Sequence, residues 1–185
     1  MEEFKVKDIM VPLAEYATCS SDATLFQAVM AHEKAQQEFH EERYRHRAIL
    51  VYDQNKKIVG KVSQMDVLRA LEPRYKDMGE STMTRFGFSK TFLKSMMEHF
   101  RLWEKPLEEI CRKAADLKVK DVMYAPSEGE YVQEDASINE AIHQLVMGHH
   151  QSLLVTEAVS GEIVGILRLT DVFMVAWQAM RACKI

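Results

Sequence analysis

The sequence predicts an α/β fold in which one module is used twice, with a helical segment between the two copies. Three observations predict it. Blocks of residues recur in the same order at nearly constant spacings. Each copy alternates short apolar, β-branched runs with stretches of helical periodicity. The composition, 47% hydrophobic and 28% charged over 185 residues, supports a packed core without disulfides or metal staples.

The recurrence is residue by residue. Val6-Lys7-Asp8-Ile9-Met10 returns as Val119-Lys120-Asp121-Val122-Met123, an offset of 113. Asp22-Ala23-Thr24-Leu25 returns as Asp135-Ala136-Ser137-Ile138 at the same offset. Ala48 to Val51 matches Ser152 to Val155 at 104, and Ile58-Val59-Gly60 matches Ile163-Val164-Gly165 at 105. The first copy therefore holds about nine extra residues before its second strand.

Each copy reads as strand, helix, strand, strand, helix. Asp22 or Thr24, and Asp135 or Ser137, suit the start of the first helix, because short polar side chains satisfy orphan backbone donors. Leu25, Ala28 and Val29, like Ile138, Ala141, Ile142 and Leu145, then fall at helical spacing. Ala48 to Tyr52 and Ser152 to Val155 read as strands, followed by the turn-like Asp53-Gln54-Asn55 and Ser160-Gly161. Ile58 to Val62 and Ile163 to Leu167 read as the next strands. A closing helix begins near Asp66 and again near Asp171, and Pro73 ends the first of these.

The predicted division is a first module over 1–75, a connector over 76–118 and a second module over 119–185. In the connector, Asp77 to Thr84 is polar and reads as loop. Phe92, Leu93, Met96, Met97, Phe100 and Trp103 trace one helix face. Pro106 suits a helix start, with Leu107, Ile110, Cys111 and Ala114 on a second apolar face. Such faces serve either to pack on the core or to meet another chain.

The duplicated pattern resembles the cystathionine-β-synthase (CBS) domain pair, or Bateman module. The residues that carry the resemblance are Asp8 to Met10 and Asp121 to Met123, His46 to Val51, Gly60 to Asp66, and Gly165 to Asp171. The resemblance implies two β-α-β-β-α modules packed as an intramolecular pseudo-twofold pair. It also implies a cleft between the repeats for adenine nucleotides (AMP, ADP or ATP) or S-adenosylmethionine, and assembly into a homodimer. No cofactor is required; the ligand is regulatory and the regulated protein is unknown.

The family spacing is glycine, two residues, a hydroxyl residue, two residues, aspartate. A carboxylate at a helix start can accept hydrogen bonds from both ribose hydroxyls, and a nearby hydroxyl can donate to phosphate. Ser63 and Asp66 fit, and capping is their ordinary alternative. The second copy keeps Asp171 but places Arg168 where the hydroxyl belongs. Arginine can pair with phosphate or fill the cleft. His46 and Arg47 are candidates to face phosphates, as is His150 in the second copy, where Gln151 replaces the arginine. Thr18 and Tyr131 occupy the positions that line the adenine slot in the family.

Other functions are argued against. A net charge of −4 carries no basic excess for nucleic acid. Cys19, Cys111 and Cys183 are odd in number and widely separated, as expected of free thiols in a reducing cytoplasm. The acidic opening Met1-Glu2-Glu3-Phe4-Lys5 does not read as a secretory signal, and no apolar run is long enough to span a membrane. The histidines show no zinc-ligand spacing, and no nucleophile motif, phosphate loop or dinucleotide fingerprint is present. The expected protein is a free-standing cytoplasmic sensor rather than an enzyme. The alternative is an interaction module that uses the connector.

Overall fold

The computed structural model describes residues 4–38, 45–75 and 89–182. Helix α1 (Val6–Ile9) and strand β1 (Val11–Pro12) precede β2 (Thr18–Ser20), α2 (Leu25–Glu38), β3 (Ala48–Tyr52), β4 (Ile58–Ser63) and α3 (Gln64–Leu71). The connector contributes α4 (Lys90–Phe100) and α5 (Leu107–Asp116). The second copy follows as β5 (Tyr131–Gln133), α6 (Ile138–Met147), β6 (Ser152–Thr156), β7 (Ile163–Arg168) and α7 (Leu169–Ala182). The polar stretch Asp77 to Thr84 lies outside the described residues, as do Arg43 and Cys183.

Hydroxyls cap the first helix of each copy. Thr24 Oγ1 accepts from the Gln27 amide at 3.2 Å, and Gln27 Oε1 accepts from the Thr24 amide at 2.9 Å. Ser137 Oγ accepts from the Glu140 amide at 3.2 Å. Asp22 instead pairs with Lys120 Nζ at 3.2 Å. A serine or threonine cap is worth about 1 kcal/mol, enough to fix where these helices begin.

One sheet runs β2-β3-β4 and the other β1-β7-β6-β5. In each copy the first strand pairs parallel with the second, which pairs antiparallel with the third. The leading segments are exchanged. Strand β1 adds to the second copy's sheet, with Val11 opposite Ile166 and Pro12 opposite Gly165. Reciprocally, Tyr124 bridges Lys61, each amide donating to the other's carbonyl at 2.9 Å. The Val6 amide donates to the Ala136 carbonyl at 3.0 Å, and the Val119 amide to that of Ala23 at 2.9 Å. Val6 is buried in the second copy's core and Val119 in the first's. This exchange accounts for the repeated Asp-hydrophobic-Met motif. A Cβ on Gly165 would lie 2.6 Å from the Val11 carbonyl and 3.0 Å from Met10 Sδ. One on Gly60 would lie 2.8 Å from Met123 Sδ and 3.0 Å from the Tyr124 carbonyl. Each copy's methionine thus covers a glycine of the other.

A third cluster, Val11, Tyr16, Leu50, Leu154 and Ile166, fills the space between the sheets. Leu50 and Leu154 are repeat equivalents, and both are essentially inaccessible. Truncating either to alanine costs about 2–5 kcal/mol.

The two connector helices behave differently. Helix α5 packs on α2 and α3, and Lys113 Nζ donates to the Leu71 carbonyl at 3.1 Å. Cys111, expected on its apolar face, is exposed. Helix α4 keeps Phe92, Leu93 and Met97 about half exposed. Trp103 lies past its end in a left-handed conformation with φ 59°, not on its face. Its indole Nε1 donates to Tyr75 Oη at 3.0 Å. The chain just past α4 is clamped by buried Glu72, which accepts from the Trp103 amide at 2.8 Å and from Arg74 Nε and Nη2, both at 2.8 Å. The Arg74 bonds and the backbone amides outweigh burial and hold the Glu72 carboxyl down to about 2.

Candidate functional site

Strand β4 runs directly into α3, so Ser63 ends the strand and caps the helix. Its Oγ accepts from the Asp66 amide at 3.2 Å. In return, Asp66 Oδ2 accepts from the Ser63 amide at 2.8 Å and from the Ser63 hydroxyl at 2.6 Å. The capping alternative is therefore realised, yet it uses only one carboxylate oxygen. Among the described residues, Oδ1 has no hydrogen-bond donor.

A cleft of about 380 Å³ opens beside this turn. Strand β4 and helix α3 contribute Val62, Ser63, Gln64, Val67 and Leu68 to its wall. Arg47, Ala48 and Ile49 form another side, and Val29, His32 and Glu33 of α2 close it. The floor is apolar and the rim carries Arg47 and Glu33, both exposed. An apolar slot with a few convergent polar groups suits a flat aromatic ligand with a charged tail.

His46, next to Arg47, points away from solvent and is 1% exposed. Its ring stands edge-on to Tyr16 with centroids 4.3 Å apart. Its carbonyl accepts from His32 Nε2 and Gln36 Nε2, both at 3.0 Å, so His32 carries its proton on Nε2. Burial, the Arg168 guanidinium and His32 pull the His46 pKa down to about 4. The ring is packed against Tyr16 and shielded from solvent, where its neutral form is favoured. Burial pushes the Tyr16 hydroxyl up to about 12, against the opposing pull of Arg168.

The corresponding turn of the second copy is built differently. Asp171 Oδ2 accepts from the Arg168 amide at 3.2 Å and from Arg168 Nε at 2.7 Å, and Oδ1 accepts from Arg168 Nη2. Both carboxylate oxygens are occupied, and Arg168 is only 4% exposed. The exposed strand arginine that this position would ordinarily carry is not what the structure shows.

The CBS-domain family profile matches the chain twice, over residues 6–73 and 118–177. The chain belongs to the CBS-domain family. Its fold is that of CBS-pair proteins. A CBS domain-containing protein of unknown function from Bacillus anthracis shares 16% identity at a TM-score of 0.63, covering 96% of this chain and 95% of that one. The CBS-pair protein CBSX2 from Arabidopsis thaliana shares 21% identity at 0.60, covering 96% and 97%, and has also been solved in complex with AMP. The CBS domain of a bacterial CNNM/CorC family Mg2+ transporter, solved with ATP, shares 18% identity at 0.58, covering 93% and 86%. No curated protein matches by sequence.

Of the nine residues singled out in the sequence, Arg47 and Ser63 line the cleft of the first CBS repeat, and Asp66 stands at its edge through Ser63. Thr18 lies in β2 paired with Leu50. Its counterpart Tyr131 packs against the apolar layer between the sheets. His150 is half-buried, its ring so close over Gly148 that a Cβ there would lie 2.2 Å from Nε2. Arg168 and Asp171 hold each other.

Sequence reasoning missed one polar group between the repeats. Glu130, 3% exposed, accepts from Lys61 Nζ, from Tyr124 Oη at 2.6 Å and from the Ser127 amide at 3.1 Å. Burial pushes its carboxyl up, but the Lys61, Tyr124 and Ser127 bonds prevail and hold it at about 2. The signal was in the repeat: Ile166 is the counterpart of Lys61, Val11 that of Tyr124, and Ala17 that of Glu130. Among the described residues, no three His, Cys, Asp or Glu side chains converge as a metal site. No helix there is long and apolar enough to cross a membrane.

Proposed function

We propose that this CBS pair is a regulatory module that binds an adenine nucleotide in the cleft beside Ser63 and Asp66. The observation that carries the reading is the Asp66 carboxylate. Its Oδ2 is held by the capping box and its Oδ1 is left to accept from a ribose hydroxyl, beside an apolar slot with Arg47 at the rim. The AMP complex of CBSX2 and the ATP complex of the CNNM/CorC domain support the ligand class. S-adenosylmethionine shares the adenosine moiety and belongs in the same test.

Binding does not call for catalysis. Strand β4 carries both Ser63 at the cleft and Lys61 bonded to Glu130 of the other repeat. A ligand that prefers one placement of β4 biases the arrangement of the two repeats, and a regulated protein reads that arrangement. Apolar side chains exposed on α3 and α7, including Met65, Leu68, Phe173 and Trp177, suit a homodimer face. The free thiols of Cys19 and Cys111 suit a cytoplasmic setting. A second reading, a protein-docking module, is favoured by the exposed face of α4.

The test is calorimetric titration with AMP, ADP, ATP and S-adenosylmethionine, for the wild type and Asp66→Ala. Losing a charge-assisted hydrogen bond worth about 1.5–3 kcal/mol weakens binding roughly 10- to 150-fold. Absence of heat with all four ligands would discard the reading.

A further inference from the structure

The two repeats offer equivalent turns, and the same few positions decide which of them stays open. In the first repeat the turn residue is Ser63, and Asp66 keeps Oδ1 available. In the second, Arg168 presents two N–H groups, from Nε and Nη2, to the two oxygens of Asp171. A ribose presents its two adjacent hydroxyls to a carboxylate in the same two-donor manner. Arg168 therefore does for Asp171 what a ligand would do, and does it covalently tethered.

The surroundings agree. At an offset of 113, Tyr16 corresponds to Gly129; at 104, His46 corresponds to His150. Tyr16 is 6% exposed, stands edge-on to His46 and lies within the field of Arg168. A Cβ added at Gly129 would meet only His150, at 3.8 Å, so the corresponding wall is open. Three apolar positions lining the first cleft also carry larger side chains in the second repeat, while Arg47 becomes the shorter Gln151. Val29 becomes Ile142, Val62 becomes Leu167 and Leu68 becomes Phe173; Leu167 is fully buried.

We propose that Arg168 is an internal plug that occupies the second ligand site, so that each chain takes one nucleotide, at Asp66. The inference rests on the nucleotide reading above and adds stoichiometry and the residue that sets it. Arg168→Ser places at the second turn the same serine–aspartate box that the first repeat already folds, and it vacates the guanidinium.

The experiment is titration with AMP of wild type, Asp66→Ala, Arg168→Ser and the Asp66→Ala/Arg168→Ser double variant, with melting curves as a check on folding. The expected counts of sites at wild-type affinity are one, none, two and one per chain, with Asp66→Ala keeping only a first site weakened roughly 10- to 150-fold. Two sites in the wild type, or a site of undiminished affinity in Asp66→Ala, would overturn the plug. So would a single site in a folded Arg168→Ser protein. Should Arg168→Ser not fold, the wild-type count and the Asp66→Ala variant still decide. No binding by any of the four proteins is the separate failure of the nucleotide reading, and the plug falls with it.

Discussion

Removing Glu130 isolates a charge between the repeats. Lys61 has a side chain 15% exposed, and Glu130 is its carboxylate partner. In Glu130→Ala the ammonium keeps only a narrow path to water. Breaking a buried pair costs about 3–5 kcal/mol, and that narrow path places this case near the lower end, about 3 kcal/mol. At about 2–4 °C per kcal/mol for a chain of this size, the melting temperature should fall by roughly 6–12 °C. Lys61→Ile alone should cost about as much, because Glu130 is the more deeply buried partner. The double variant Lys61→Ile/Glu130→Ala should recover most of the loss. It recreates the combination that Ile166 and Ala17 already provide at the equivalent place, and half-exposed Tyr124 can turn its hydroxyl to water. Urea unfolding of the four proteins closes the cycle. Additive losses in the double variant would refute the idea that the pair offsets its own desolvation.

Protonation of His46 should destabilise the fold. Its folded pKa, about 4, lies below the unfolded value near 6.5. Stability is therefore full above pH 6.5 and declines as pH falls towards 4, by roughly 3 kcal/mol in total. In His46→Phe that part of the pH dependence should vanish from unfolding curves; an unchanged profile would count against it. Gly165→Ala should cost about 2–3 kcal/mol, more than Gly60→Ala, because its Cβ would lie 2.6 Å from the Val11 carbonyl, whereas at Gly60 the nearest atom is a movable thioether and the Tyr124 carbonyl is 3.0 Å away. Equal melting temperatures in the two variants would contradict that order. Glu72→Ala should loosen the chain around Trp103, seen as faster amide exchange at Trp103; unchanged protection would show that the clamp is dispensable.

The modular fold was legible because each strand and helix carries its own local pattern twice. Repeat offsets alone located β3 with β6 and β4 with β7, and the hydroxyl caps were among the residues expected to start α2 and α6. The exchange of leading segments was not legible. Val6-Lys7-Asp8-Ile9-Met10 says that it is a conserved-length copy of residues 119–123 but not whose sheet it joins, since that pairing is tertiary. At the site, the resemblance to the CBS pair points to Ser63, Asp66 and Arg47, and the structure sets Arg47 and Ser63 on one cleft, whereas the burial of His46 against Tyr16 is a tertiary property that its own stretch of sequence does not signal. Arg168 was noted as a departure from the pattern, and its bond to the aspartate three residues on was missed. Differences between repeat equivalents, such as Gly129 against Tyr16 and Lys61 against Ile166, carried that information.

The measurement closest to the central claim is a crystal structure of the chain with AMP. The account predicts one nucleotide per chain, with a ribose hydroxyl on Asp66 Oδ1, the base in the slot formed by Val29, Ala48 and Val62, and Arg168 still paired with Asp171. A nucleotide seated on Asp171 with Arg168 swung aside, or an empty Ser63–Asp66 cleft at saturating AMP, would contradict it.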